Sequence, residues 1–438
     1  MAKEKRVGVI SLGCDKNRVD TEKMLAILSK EHKIVNSLQD AQVIIINTCA
    51  FLQSSREEAV SEIFSANEYK KNGSAEKIIV TGCLPQKFID EIFNELYEVD
   101  AFLGVSDYDK ILSVIDEIYL DKRVNAVGTP SKECGTDRVL TTNSYAYLKI
   151  ADGCSNHCTY CLIPYIRGKF RSVKKEDLLE EVKKLGAVKE LILVAQDTAR
   201  YGQDLQEPTT LTDLIRELSM LETVGSIRLL YCYPENVTDQ LINEFKTNEK
   251  LIKYIDMPLQ HADDTVLKRM NRKGTGEGYL KLIEKLKNEV CGIAIRSTFI
   301  TGFPGESDQA FLNLLEFINK AELFNCGFFK YSREEGTPAY KLDKQIDEKV
   351  KNARYKKLYS AQKKVVNKNL KKLVGKTISV IAEGFDYDKL VYYGRAYFNA
   401  PDIDGKVYFF SGEETVCGEY YDILIKENSG YDLYGERL

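Results

Sequence analysis

Histidine is almost missing from this chain of 438 residues: His32, His157 and His261 are the only three. A metal site built mainly from imidazole is therefore excluded, and any metal chemistry must lean on sulfur. No stretch approaches the roughly 18 consecutive apolar residues of a membrane span, so no membrane is expected. The opening, MAKEKRVGVISLGCDKN, carries a short apolar run, but Asp15 and Lys16 end it early. It has neither the apolar core nor the small-residue cleavage site of a signal peptide, and a cytoplasmic location is expected. Nor does one sign of charge dominate: 62 Lys+Arg stand against 66 Asp+Glu, a formal net of −4. That balance excludes a strongly basic nucleic-acid binder as a whole-chain reading and leaves local patches open.

What is present is apolar residues at 44%, charged residues at 29% and eleven cysteines. The length predicts two or three domains with real cores. Eleven thiols in a long chain of cytosolic character point to metal ligands, catalytic thiols or buried core residues rather than a disulfide framework.

The first third alternates short apolar runs (Arg6–Leu12, Val43–Asn47, Ile78–Thr81, Ala101–Leu103) with helical patterns, which predicts a parallel α/β sheet domain over residues 1–122. Residues 123–142, rich in Thr, Gly and Lys and with little periodicity, read as a linker. Residues 143–372 hold six βα units, which suggests a barrel or an incomplete one with its chemistry on the loops after the strands. They close on a basic helix, Asp343–Lys372, with 11 Lys+Arg against 3 Asp+Glu. Residues 373–438 contain five short strands rich in Tyr, Val, Ile and Phe, the pattern of a small β-barrel of the oligonucleotide-binding type.

Three thiols lie within eight residues at Cys154, Cys158 and Cys161, just after the strand Tyr145–Ile150. Soft thiolates select zinc, copper(I) or iron–sulfur clusters. Structural zinc normally takes four ligands in pairs, and His157 is poorly placed to complete such a set beside Cys158. A four-iron cluster on three thiolates keeps one iron open for a chelating substrate. A second trio is dispersed: Cys14, Cys49 and Cys83 each follow the carboxyl end of a strand, and in a parallel sheet those ends share one edge. Their being merely small apolar residues at strand ends is the competing reading. Cys134, Cys232, Cys291, Cys326 and Cys417 show no ligand spacing and read as buried structural thiols.

The C-x₃-C-x₂-C spacing resembles that of the radical S-adenosylmethionine enzymes, and the incomplete barrel is the fold that superfamily uses. With both trios, the whole chain resembles the methylthiotransferases. Those enzymes join an N-terminal α/β domain carrying an auxiliary cluster to a radical S-adenosylmethionine barrel and a C-terminal TRAM β-barrel. The resemblance implies two 4Fe–4S clusters, one on Cys14, Cys49 and Cys83 and one on Cys154, Cys158 and Cys161, together with S-adenosylmethionine and an external electron donor. The segments SLGCDKNRVDTE, INTCAFLQSSREEA, ADGCSNHCTYCLIPYIRGKFRS, LVAQDTARYGQDL, DMPLQHADDTVLKRMNR and APDIDG are similar to the RimO-type branch. That branch methylthiolates an aspartate β-carbon in the twelfth small-subunit ribosomal protein. Asp15 stands where many of its members have proline. The tRNA-modifying branch usually carries Val-Arg-Glu where this chain has Ala50-Phe51-Leu52, and Gly-Gln-Asn where it has Ala195-Gln196-Asp197.

The same resemblance places Gln196 and Asp197 by the methionine amino group, Tyr160 near the adenine, and Gly302 and its neighbours to Glu306 against the adenosine. A plain turn is the competing reading of that last segment. No catalytic side chain beyond the clusters is singled out. His261 reads as a hydrogen-bonded structural histidine, and Arg167 and Arg171 as anion ligands or surface residues. From Leu373 to Leu438 there are 6 Lys+Arg and 12 Asp+Glu. An acidic barrel suits a basic ribosomal protein, free or within the ribosome, and disfavours tRNA. The barrel is expected to bind substrate and to be dispensable for both cofactor sites. The rivals are a tRNA adenosine methylthiotransferase and, in another class, a thiolate–zinc nucleic-acid-binding protein.

Overall fold

Residues 4–131 and 135–438 are described by a computed structural model of the chain; Cys134 lies outside them. The first unit is a six-stranded sheet of β1 (Arg6–Ser11), β2 (Lys33–Ile34), β3 (Val43–Thr48), β4 (Lys77–Gly82), β5 (Ala101–Leu103) and β6 (Val124–Ala126), in the order β2-β1-β3-β4-β5-β6. Every pairing is parallel. The run Val43-Ile-Ile-Ile46 explains why: alternate residues enter different cores, Ile44 and Ile46 on one face and Val43 and Ile45 on the other. A strand buried on both faces needs an apolar residue at every position. β6 departs from expectation, since it belongs to the sheet although it lies in the stretch read as linker. Three residues carry too little pattern to register as a strand.

The second unit holds β7 (Ala146–Lys149), the hairpin strands β8 (Ala151–Asp152) and β9 (Arg171–Ser172), then β10 (Val188–Val194), β11 (Val224–Leu229), β12 (Leu251–Asp256), β13 (Ala294–Thr301) and β14 (Asn325–Lys330). Its main sheet is parallel and runs in chain order from β7 to β14 without β8 and β9; its first and last strands do not pair, so the barrel of six βα units stays open. Leu191 and Leu193 face the surrounding helices, while Ile192 and Val194 face inward with Tyr145, Tyr147, Leu230 and Tyr254.

The helix Glu348–Lys371 leads into the third unit, a closed five-stranded barrel of β15 (Thr377–Asp386), β16 (Val391–Arg395), β17 (Val407–Phe410), β18 (Tyr420–Ser429) and β19 (Asp432–Arg437). The helix buries Leu358, Val365, Val366 and Leu370 and leaves Lys349, Lys356, Lys357, Lys363, Lys364 and Lys371 exposed.

The barrel is not a detachable appendage, contrary to expectation. Its segment from Arg395 to Asp404 plugs the inner face of the open central barrel. Arg395 pairs with Glu190 at 2.9 Å. Asp404 accepts from Tyr254 Oη at 2.8 Å and from Arg296 Nε at 3.3 Å. Arg228 donates to the Tyr397 carbonyl at 2.8 Å, and Asn325 to that of Phe398 at 3.1 Å. Removing the barrel would uncover this inner face, apolar Tyr254 included, and take from Glu190, Arg228 and Arg296 the partners that complete their pairing.

The stretch after β6 is also structural. Arg138 is buried and donates to the Tyr147 carbonyl at 2.6 Å and to Glu181 at 2.7 Å, and it pairs with Glu22. It thereby ties the first helix of the N-terminal unit, Asp15–Leu28, to the central barrel.

Candidate functional site

Because β1, β3 and β4 are neighbours and parallel, their carboxyl ends stand level: Ser11 is opposite Asn47, and Asn47 is opposite Thr81. Cys14, Cys49 and Cys83 follow directly and are brought to one edge. Cys14 is exposed, Cys49 half-buried and Cys83 buried. Burial pushes the Cys83 thiol up to about 12, with Cys49 and Cys14 adding to the shift, and it pushes Cys49 up as well, with Cys14 adding to it. Donors oppose this: the Phe51 N–H and the Ser55 hydroxyl reach Cys49, and the Arg167 guanidinium reaches Cys83.

Cys154, Cys158 and Cys161 lie on the loop between β8 and a short helix, Ile163–Ile166. The loop is pinned at both ends. Cys154 N–H donates to the Gly168 carbonyl at 3.0 Å, and Thr159 N–H donates to that of Met270 at 3.1 Å. Burial raises the Cys154 thiol to about 11 and raises Cys161 further, with Cys158 contributing to both. The Asn156 N–H points at Cys154 Sγ from 3.5 Å, and the Ile163 N–H reaches Cys161.

Among the described residues, no group of three or more His, Cys, Asp or Glu side chains converges on the position of a single ion. The thiols of each trio are near enough to interact electrostatically, and N–H donors are aimed at their sulfurs. That donor set fits a bulky cluster, whose thiolate ligands are stabilised by hydrogen bonds to sulfur. Buried thiols held protonated would release protons as metal binds.

Asp197 is fully buried. Its Oδ2 accepts from Asn156 Nδ2 at 3.1 Å and Asn236 Nδ2 at 2.9 Å, while Oδ1 has no partner. Burial raises its carboxyl above the usual range. Gln196 donates to Asp152 at 3.0 Å and leaves its own Oε1 buried without a partner. Two buried acceptor side chains thus stand beside the Cys154 loop, the Tyr233 N–H also acting on the Asp197 carboxylate. Tyr160 lies edge-on to Phe303, with ring centroids 6.4 Å apart and planes at 83°. Gly302 has φ +74°, and a Cβ there would stand 2.3 Å from Lys351 Cγ, so only glycine fits. The turn it begins is held by Glu306, whose carboxylate accepts from the N–H groups of Gly302 and Phe303 and pairs with Arg354 at 3.0 Å.

Other expectations sort as follows. His261 is fully buried, and its Nδ1 accepts from Asp263 N–H at 3.0 Å. Burial lowers its pKa to about 3, so it is neutral and structural. Cys232 and Cys326 are buried, but Cys291 and Cys417 are exposed, so they are not core thiols. Arg167 is no surface residue: at 1% exposure it is among the most buried side chains of the molecule.

Around Arg167 lie residues that the sequence reading passed over. Its Nη2 donates to Asn17 Oδ1 at 2.7 Å and Asp20 Oδ2 at 3.1 Å, and its Nη1 donates to Asp152 Oδ2 at 2.9 Å. Lys149 pairs with Asp20 and stands 3.6 Å from Asp152. Burial alone would raise the Asp152 carboxyl, but Arg167 and Lys149 hold it well below the usual carboxylate range. The available signal was a lysine closing an otherwise apolar strand at position 149.

Comparison with known proteins gives three matched segments. Residues 6–104 match Uncharacterized protein family UPF0004, residues 148–318 the Radical SAM superfamily, and residues 374–438 the TRAM domain. Over 99% of the chain and 98% of the relative, it is 46% identical to ribosomal protein uS12 methylthiotransferase RimO of Acetivibrio thermocellus. The protein of the same name from Clostridium botulinum is 44% identical over 98% of the chain and 97% of that relative. Among solved structures, the radical S-adenosylmethionine methyltransferase TsrM from Kitasatospora setae aligns with TM-score 0.56 at 12% identity, over 77% of each chain. That likeness concerns the fold.

Proposed function

The chain belongs to the ribosomal protein uS12 methylthiotransferase RimO family, and from that premise we propose that it transfers a methylthio group to the β-carbon of an aspartate of uS12. It is a radical S-adenosylmethionine enzyme, with the 4Fe–4S cluster and S-adenosylmethionine that this superfamily uses. The second cluster, on Cys14, Cys49 and Cys83, is part of the proposal. One observation carries the reading: the carboxyl-end loops of two parallel sheets, each bearing a thiol trio, meet across the buried Arg167.

An aspartate β-carbon has no proton acidic enough for ordinary base catalysis. When bound, the cluster of the central barrel and S-adenosylmethionine supply one-electron chemistry able to remove such a hydrogen. The residues of the chain do the rest. Cys154, Cys158 and Cys161 would hold the cluster. Asp197 and Gln196 would offer carboxylate and amide oxygens to the cofactor's amino group. Tyr160 and the turn from Gly302 would flank its adenosine. Cys14, Cys49 and Cys83 would hold the auxiliary cluster.

The acidic third unit, with 12 Asp+Glu against 6 Lys+Arg, supports a basic protein substrate over tRNA. Cytoplasmic location and an external electron donor belong to the same reading. No helix among the described residues is long and apolar enough to cross a membrane. The test is a methylthiolation assay of the reconstituted enzyme on uS12 and on tRNA in parallel, read by mass spectrometry. A methylthio adduct on a uS12 aspartate is expected; modification of tRNA alone would replace this reading with the tRNA activity.

A further inference from the structure

The N-terminal thiol loops and the cofactor cleft are joined by an unbroken buried chain of side-chain hydrogen bonds. Asn17 Nδ2 donates to the carbonyl of Leu12 at 2.9 Å and to that of Thr48 at 3.0 Å, the residues just before the Cys14 loop and Cys49. Asn17 Oδ1 lies 3.9 Å from Cys14 Sγ and accepts from Arg167 at 2.7 Å. The same guanidinium lies near enough to Cys83 to favour its thiolate. Its other arm holds Asp152, which in turn accepts from Gln196.

Asn17, Arg167, Asp152, Asp20 and Lys149 are all buried. Within the set, two positive charges face two negative ones. A guanidinium is the side chain suited to this place, because its planar fork donates in several fixed directions at once.

We propose that Arg167 is a positioning residue that, through Asn17 and Asp152, holds the auxiliary thiol loops in register with the cofactor site and, through its buried charge, sets the reduction potential of the centre those thiols carry. The inference rests on the two-cluster reading above. A cation and N–H donor beside a thiolate ligand stabilise the more negative, reduced state, so the potential rises with the arginine present. Through Asp152 and Gln196, the same residue ties the auxiliary thiol loops to the side chains that would flank the cofactor.

The two roles separate by substitution. Arg167→Gln removes the charge; Arg167→Lys keeps the charge and loses the fork. Both would be reconstituted as full-length holoenzyme. The readouts are iron and sulfide content, redox titration of each cluster by electron paramagnetic resonance, and methylthiolated product per 5′-deoxyadenosine released. In Arg167→Gln the auxiliary potential is expected to move to more negative values while that of the other cluster stays. In Arg167→Lys the auxiliary potential should stay near that of the unmodified protein, while product per cleavage falls about tenfold, the usual size of outer-sphere effects.

Asp152→Asn removes one negative charge and should move the auxiliary potential the opposite way, so the proposal stands or falls even if Arg167→Gln does not fold. An unshifted auxiliary potential in either charge-changing variant that assembles both clusters, equal shifts in both clusters, or unchanged coupling in Arg167→Lys would overturn it. An unmodified protein that assembles only one cluster would instead overturn the two-cluster reading, and this proposal with it.

Discussion

Gly13 and Cys49 face one another across two loops so closely that a Cβ on Gly13 would stand 2.7 Å from Cys49 Cβ and 3.2 Å from its Sγ. Gly13 also sits at φ +88°, where a side chain is strained in any surroundings. Gly13→Ala is therefore expected to push the Cys14 and Cys49 loops apart. The reconstituted variant should lose close to half its iron and sulfide and still cleave S-adenosylmethionine. Full iron content in the variant would show that the loops tolerate the displacement.

The two trios occupy separate loops, so their losses should be independent. The unmodified protein should hold about eight irons and eight sulfides, two clusters' worth. Cys158→Ala should lose one cluster and all cofactor cleavage; Cys49→Ala should lose the other and keep cleavage to 5′-deoxyadenosine. Loss of both clusters in either variant would count against independent sites.

Arg138 stands between Glu22 and Glu181, with both carboxylates almost fully buried. Arg138→Met removes the cation shared by two buried carboxylates, leaving Glu181 with Lys23 at 3.2 Å and Glu22 with the Thr141 N–H and hydroxyl. A destabilisation of about 3–5 kcal/mol is expected, read as a lower urea midpoint. A shift under about 0.5 kcal/mol would mean that the Arg138 pairs add little to holding the N-terminal unit.

His261 supplies a pH dependence of known sign. Its folded pKa of about 3 lies below the ordinary value of 6.5, so the unfolded chain binds the extra proton first. The stability it contributes is complete above about pH 6.5 and is lost as the pH falls toward 3, with a slope of at most about 1.4 kcal/mol per pH unit. The groups around it are Asp263, Arg354 and Glu306, whose carboxylate lies 3.9 Å from Nε2. Burial raises the pKa of Glu306, which makes a contribution of opposite slope. His261→Gln should flatten the acid limb of stability between pH 6.5 and 4, measured as urea midpoints; an unchanged limb would refute the assignment.

Glu413 and Glu414 are exposed on the barrel, and only Glu413 is paired, with Arg437 at 3.1 Å. Reversing both to lysine should raise KM for the basic protein substrate by a few-fold and leave kcat and both clusters as they were. The effect should shrink as salt approaches 0.5 M, because surface charges act through screened long-range attraction. A fall in kcat at saturating substrate would place these residues nearer the reaction than their position allows.

Much of this molecule is local, and local features are written in the chain. Cys154, Cys158 and Cys161 declare themselves by spacing alone. Cys14, Cys49 and Cys83 could be gathered from three distant loops because parallel neighbouring strands bring every carboxyl end to one edge, so position along a strand becomes position in space. The apolar runs of β3 and β4, and the closed barrel after the basic helix, were legible for the same reason: periodicity reports which faces are buried. Arg167 was not legible. It reads as one more charge after a cysteine loop, and its meaning comes from Asn17 and Asp20, which lie 150 and 147 positions away. Nothing short-ranged says that a guanidinium will be stripped of water, and only the packing of the helix Asp15–Leu28 against the central barrel makes it the partner of both units. The same holds for the segment from Arg395 to Asp404. Its sequence shows the segment APDIDG and nothing of what it packs on, while its burial against Glu190, Tyr254 and Arg296 depends on an open barrel that leaves one inner face to be covered.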